Sequence, residues 1–193
     1  LTDIWNEAHR PIEEAGAETP EFKKWFGDSK VVDEQGKPLV VYHGTEKAGF
    51  AEFDYDKGSF KRGKETYGYH FTEDRRTAAT YSGSRTEAEI STDEDFNPRY
   101  EGVEGIYSTY LKMKNPYEID FADEAGEPQG WDTEVDGFFG VDDVAKFAKD
   151  NGYDGVIVRN VMDEGPHGQG YGWGNETYIV FEPTQIKSTF NRG

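Results

Sequence analysis

The sequence predicts an α+β fold, and three observations carry that expectation. Short apolar runs rich in β-forming residues recur at 39–42, 67–71, 106–113, 156–158 and 178–181. Helical periodicity is confined to a few short segments that do not alternate with the strands as in a doubly wound sheet. Finally, 193 residues with no cysteine, 15% of them aromatic, can bury one core without disulfides.

Each element has a local reason. Ile4, Trp5, Ala8 and Ile12 fall at a loose helical spacing, so 1–18 reads as a linker or N-terminal helix ahead of one domain, 19–193. The start at Leu1 reads as that of a domain cut from a longer chain. Thr19 is placed to cap a short helix with Pro20 in its first turn and Phe22, Trp25 and Phe26 on one face. Residues 30–32 and 39–42 flank the turn Glu34-Gln35-Gly36-Lys37 and predict a β-hairpin. A strand over 67–71 is followed by Thr72 as a cap for a helix over 74–82. Residues 83–104 are polar and acidic and read as a surface loop. Asn115-Pro116 ends the strand at 106–113. Val141, Val144, Ala145 and Ala148 predict a helix that Asn151-Gly152 stops. A buried strand at 156–158, a Gly-rich loop over 162–174, a strand at 178–181 and a last one within 185–189 complete the chain.

Charge narrows the function. The chain carries 39 acidic and 21 basic side chains for a net of −18, and residues 86–154 alone hold 19 acidic and 5 basic ones. That balance disfavours phosphate-backbone binding, which relies on Lys and Arg to displace counterions. No apolar run reaches the ~20 residues of a membrane span, and no signal peptide opens the sequence. A soluble protein with no membrane partner is expected. Zero Cys excludes a thiol nucleophile and thiolate metal ligands. The four His, at 9, 43, 70 and 167, form no HxxxH or HxH pair, so no metal site is expected.

Three blocks carry chemistry. Tyr42-His43-Gly44-Thr45 follows an apolar run and sets an imidazole beside a glycine whose bare backbone admits a flat ligand. Gly68-Tyr69-His70-Phe71-Thr72 precedes Ala78-Ala79-Thr80-Tyr81-Ser82, whose helical spacing presents Ala78 and Tyr81 together. Asn175-Glu176-Thr177-Tyr178-Ile179-Val180 leads a polar pair into an apolar strand. Alone, each is an ordinary strand end or helix face.

In order and spacing, the blocks resemble the His-Tyr-Glu branch of the ADP-ribosyltransferase superfamily, typified by diphtheria toxin and the poly(ADP-ribose) polymerases. The ending from Val180 to Ser188 is similar to ADP-ribosyltransferase domains of phage polyvalent proteins and bacterial toxins. The resemblance spans 29–190. It implies a split fold of two small antiparallel sheets around an NAD cleft with short flanking helices. It also implies transfer of ADP-ribose from NAD, as co-substrate, to a macromolecule with release of nicotinamide. The implied acceptor is a protein rather than a nucleic acid. An immunity or antitoxin protein is a further expected partner. The implied setting is a toxin or effector, cytoplasmic or delivered into a target cell within a larger protein.

Residue by residue, the resemblance makes His43 a partner of an NAD ribose hydroxyl and Gly44 the main-chain holder of the carboxamide, with Thr45 beside them. Tyr81 would stack on nicotinamide, and His70 stands where the family has its first stacking Tyr. Glu176 would bond the 2′-hydroxyl and stabilise positive charge as the glycosidic bond loosens, since oxocarbenium-like chemistry needs a nearby anion. One extra residue separates Glu176 from Tyr178. Aligned from the apolar strand, the catalytic slot falls on Thr177, and a β-bulge would return it to Glu176.

Two further segments are read locally. The basic cluster at 57–64 is first a solvated loop and second a patch that neutralises the NAD pyrophosphate. The resemblance gives the loop before Glu176, with Tyr171 and Trp173, a part in acceptor recognition; read locally, aromatics between glycines suit a recognition loop or pack on the core. Two other functions compete: an RNA 2′-phosphotransferase of the same fold, using His43 and His70, and a non-catalytic module that keeps the cleft.

Overall fold

The computed structural model describes residues 17–46, 53, 67–82, 91–92, 98–99, 105–163, 165 and 172–189. The helix expected within 1–18, the basic cluster and the aromatic positions of the 165–174 loop lie outside the described residues or side chains. Among the described residues, no helix is long and apolar enough to cross a membrane.

Helix α1 (Pro20–Phe26) starts as the sequence demands, with the Phe22 amide donating to Thr19 Oγ1 at 3.1 Å. Phe22 and Phe26 bury against Tyr110. In chain order the strands are β1 (Val41–Gly44), β2 (Tyr69–Thr72), β3 (Ser91–Thr92), β4 (Pro98–Arg99), β5 (Ile106–Leu111) and β6 (Pro116–Asp120). They continue as β7 (Gln129–Gly130), β8 (Glu134–Val135), β9 (Phe138–Phe139), β10 (Gly155–Asp163), β11 (Gly172–Val180) and β12 (Ile186–Ser188). Helix α2 (Arg75–Tyr81) follows β2, and α3 (Val141–Asp150) precedes β10.

The fold is α+β. Its main sheet runs β12-β5-β1-β2-β11-β10-β6, with β7 on β10, while β3-β4 and β8-β9 form separate ribbons. Neighbours are antiparallel except β6 and β7, which run parallel to β10. The two sheets implied by the resemblance therefore join into one path. They are nearly parted, because β1 and β2 pair at a single position, Tyr42 with Thr72.

Each face of this sheet carries a core. On one, Val141, Val144, Ala145 and Ala148 of α3 cover Val156, Val158, Val161 and Ile179. On the other lie Val31, Val41, Tyr69, Phe71, Leu111, Met113, Ile157, Tyr178 and Val180. Strands buried on both faces read as continuous apolar runs, which explains 156–158 and 178–180.

Several local expectations change, and the loops expected over 83–104 and 162–174 give up residues to β3 and β4 and to β10 and β11. The hairpin over 30–42 shrinks to one bridge, Val32 to Pro38, because Pro38 has no N–H to extend the ladder and 41–44 pairs with β5 and β2 instead. The side chain capping α2 is Asp74, which accepts from the Arg76 amide, while Thr72 Oγ1 accepts from the Asp74 amide. Pro116 begins β6, where Pro is tolerated as the first residue of an edge strand. A single turn of 3₁₀ helix, Pro183–Gln185, stands before β12.

Candidate active site

The β1–β2 seam is built by His43. Its Nδ1 lies 2.8 Å from the His70 carbonyl oxygen, so Nδ1 carries the hydrogen and donates it. The ring thus bridges two strands that share only one register pair. Desolvation holds the His43 pKa below its ordinary value despite that bond. The neutral ring keeps its lone pair on Nε2, able to accept from a hydroxyl. Phe53 and Phe71 flank it, with ring centroids 5.2 and 5.5 Å away.

Residue alternation sends the next position to the opposite face. A Cβ on Gly44 would lie 1.7 Å from the Ala78 carbonyl oxygen and 2.9 Å from Tyr81 Cβ. Glycine at this site is what lets α2 rest directly on β1. Tyr42 points the same way, with the Arg75 guanidinium 5.7 Å over its ring. Thr45 continues the strand end, its amide donating to the Gly105 carbonyl at 2.8 Å. The seam therefore sets Gly44 against the helix that carries Tyr81 on one face, and the His43 ring on the other, where it bonds the His70 main chain.

His70 faces away from His43, against Trp131, with the two rings 5.5 Å apart. Its Nε2 is buried with no hydrogen-bond partner, and burial, helped by His43, pushes its pKa down to about 4. The ring is neutral near pH 7.

Register decides which residue of the third block shares that face. Thr177 pairs with Thr72 and Ile179 with His70, so Thr177 and His70 are diagonal neighbours. Thr177 is 2% exposed, and its Oγ1 is buried without a partner. A bulge is present, but on β10: Val158 opposes Thr177 and Val161 opposes Asn175, with Arg159 and Asn160 both facing the single residue Glu176. Alternation along β11 is intact there, and Glu176 shares a face with Tyr178 and His43, two strands and two residues from the latter. The Tyr178 hydroxyl donates to Glu176 Oε2 at 2.5 Å, and Arg159 Nε lies 3.2 Å from Oε1. The Glu176 amide also reaches Glu73 Oε1 at 3.4 Å. Partial desolvation, with the nearby Glu176 and Asp74 charges, raises the Glu73 carboxyl.

Sequence reasoning passed over Arg159, Glu73, Trp131 and Asp163. Tyr81 donates its hydroxyl to Asp163 Oδ1 at 2.6 Å, across 82 residues of chain. On the same side, Asn175 Nδ2 donates to Thr77 Oγ1 at 2.9 Å and ties β11 to α2. None of these has a local motif; Arg159 and Asp163 were visible only as charges closing an apolar strand. Among the described residues, no three His, Asp or Glu side chains gather as a metal site requires.

No match is found among curated proteins. The family described as ADP-ribosyltransferase in polyvalent proteins matches residues 33–193, which takes in all three blocks and the whole sheet, and the chain belongs to that family.

Proposed function

We propose that this chain transfers ADP-ribose from NAD to a macromolecular acceptor and releases nicotinamide. The observation that supports this most is the seam itself: the sheet is almost parted there, with the His43 ring on one face bonded to the His70 main chain and Gly44 on the other packed against the helix that carries Tyr81. In this reading, an NAD ribose hydroxyl donates to His43 Nε2, the Gly44 main chain holds the carboxamide, and Tyr81 stacks on the nicotinamide ring. The bond from ribose C1′ to the ring nitrogen breaks, and its electron pair leaves with neutral nicotinamide. The acceptor forms the new bond at C1′ and gives up a proton. Glu176, on the His43 face, supplies the anion that offsets positive charge on the sugar. A protein acceptor suits the acidic middle third better than a nucleic acid. A toxin or effector role, with an immunity protein as partner, extends the same reading.

A second reading has its own observation. Thr177, not Glu176, lies on the face with His70 and Tyr81, as a binding module that has lost its acid would have it. One experiment separates the two: incubation with labelled NAD and a cell lysate, comparing wild type, Glu176→Gln and Thr177→Ala. Loss of transfer and NAD hydrolysis by on the order of a hundredfold in Glu176→Gln, with a mild Thr177→Ala, supports the enzyme with Glu176 as its acid. An essential Thr177 with a tolerant Glu176 overturns the assignment of the acid. NAD binding without any turnover by wild type supports the module.

A further inference from the structure

We infer that the Asp163 carboxylate makes Tyr81 a sensor of ring charge, so that the pair holds the cationic nicotinamide ring of NAD in preference to a neutral ring. The inference rests on the proposed reading, in which Tyr81 stacks on nicotinamide.

The geometry is that of a fixed, charge-assisted pair. Asp163 ends β10 and is 9% exposed. Its Oδ1 accepts from the Tyr81 hydroxyl at 2.6 Å and from the Gly165 amide at 2.9 Å. Gly165, at φ 68, packs so closely on α2 that a Cβ there would fall 2.2 Å from Thr80 Oγ1. The turn after β10 therefore presses on the helix that carries Tyr81, and the carboxylate is held against the phenol. A phenol that donates to an anion carries extra electron density into its ring. A richer ring face attracts a cation more strongly, and the water-poor surroundings of Asp163 amplify the effect. Among the described residues, no other aromatic ring lies on Tyr81. The NAD ring is cationic, whereas released nicotinamide and the dihydronicotinamide of NADH are neutral. Such a pair would hold substrate and let product go. A carboxylate that served only to brace α2 would treat charged and neutral rings alike.

Asp163 is thus a positioning and tuning residue that acts through Tyr81. The test is calorimetric titration of wild type, Asp163→Asn, Tyr81→Phe and the double variant with NAD, NADH and nicotinamide. Asn keeps an oxygen acceptor for the hydroxyl and removes the charge. The expected result is a roughly three- to tenfold loss of NAD affinity in Asp163→Asn, with NADH and nicotinamide changed by less than about twofold. Tyr81→Phe should show the same loss, and the double variant no more than either alone. Should Asp163→Asn fail to fold, Tyr81→Phe carries the same comparison. An unchanged ratio of NAD to NADH affinity in the variants overturns the inference while leaving the proposed function standing. A wild type that binds no NAD overturns both.

Discussion

Replacing Gly44 by Ala adds one methyl group at the point where α2 touches β1. That carbon would sit 1.7 Å from the Ala78 carbonyl oxygen, 2.7 Å from its carbon and 2.9 Å from Tyr81 Cβ. A comfortable carbon–oxygen contact needs roughly 3.3 Å, so α2 has to withdraw by about 1.5 Å. The obstacle is main chain, which cannot rotate aside as a side chain can. Ala78 and Ala79 are 1% and 3% exposed, so the helix leaves behind a packed face. Overpacking of a core costs about 1–3 kcal/mol, and an obstacle of this kind puts Gly44→Ala near ~3 kcal/mol. For a chain of this size that is a fall in Tm of roughly 6–12 °C. Gly36→Ala is the control. Nothing lies within 4 Å of a Cβ there, but φ is 76°, so only the left-handed backbone penalty of about 1 kcal/mol applies. Urea denaturation followed by circular dichroism measures both variants. A Gly44→Ala protein no less stable than Gly36→Ala would refute the close packing of α2 on β1 argued above.

Two further outcomes follow from buried polar groups. The folded His70 titrates at about 4 whereas an unfolded imidazole titrates near ~6.5. The unfolded chain therefore binds more protons between those values. Stability present above pH ~6.5 should be lost as pH falls toward 4, by on the order of 3 kcal/mol, with His43 acting in the same direction. His70→Gln should flatten that fall in a series of denaturation curves; an unaltered pH profile would count against a buried neutral ring. Gln185 is the second case. Its amide nitrogen donates to the Lys112 and Asp154 carbonyls, and its oxygen accepts from the Phe181 and Glu182 amides. Gln185→Ala strands all four and should cost about 2–4 kcal/mol in chemical denaturation, while a loss under ~0.5 kcal/mol would show that solvent replaces them.

The sequence by itself determined what local chemistry decides. Thr19 and Pro20 start α1 because a hydroxyl acceptor and a missing N–H suit the first turn wherever the helix sits. The spacing Val141, Val144, Ala145, Ala148 specifies one apolar face of α3, and Asn151-Gly152 ends it. The His43, Tyr81 and Glu176 blocks were legible because the family spaces them in a fixed order along the chain. Tertiary structure decided everything that depends on which strand becomes a neighbour. The 39–42 run was apolar enough to pair with anything, and it left its expected hairpin partner because β5 offered a ladder of four register pairs, with β2 adding one, where Pro38 could not. Thr177 and Glu176 point to opposite faces in any strand, so the sequence could pose that alternative. Which of the two lies beside His70 was set by the register of β11 on β2, Thr177 against Thr72, and no residue of β11 encodes that neighbour. Asp163 was the least visible of all: a carboxylate gains a role at Tyr81 only when a turn folds onto a helix 82 residues away, and long-range packing leaves no periodic trace in the chain.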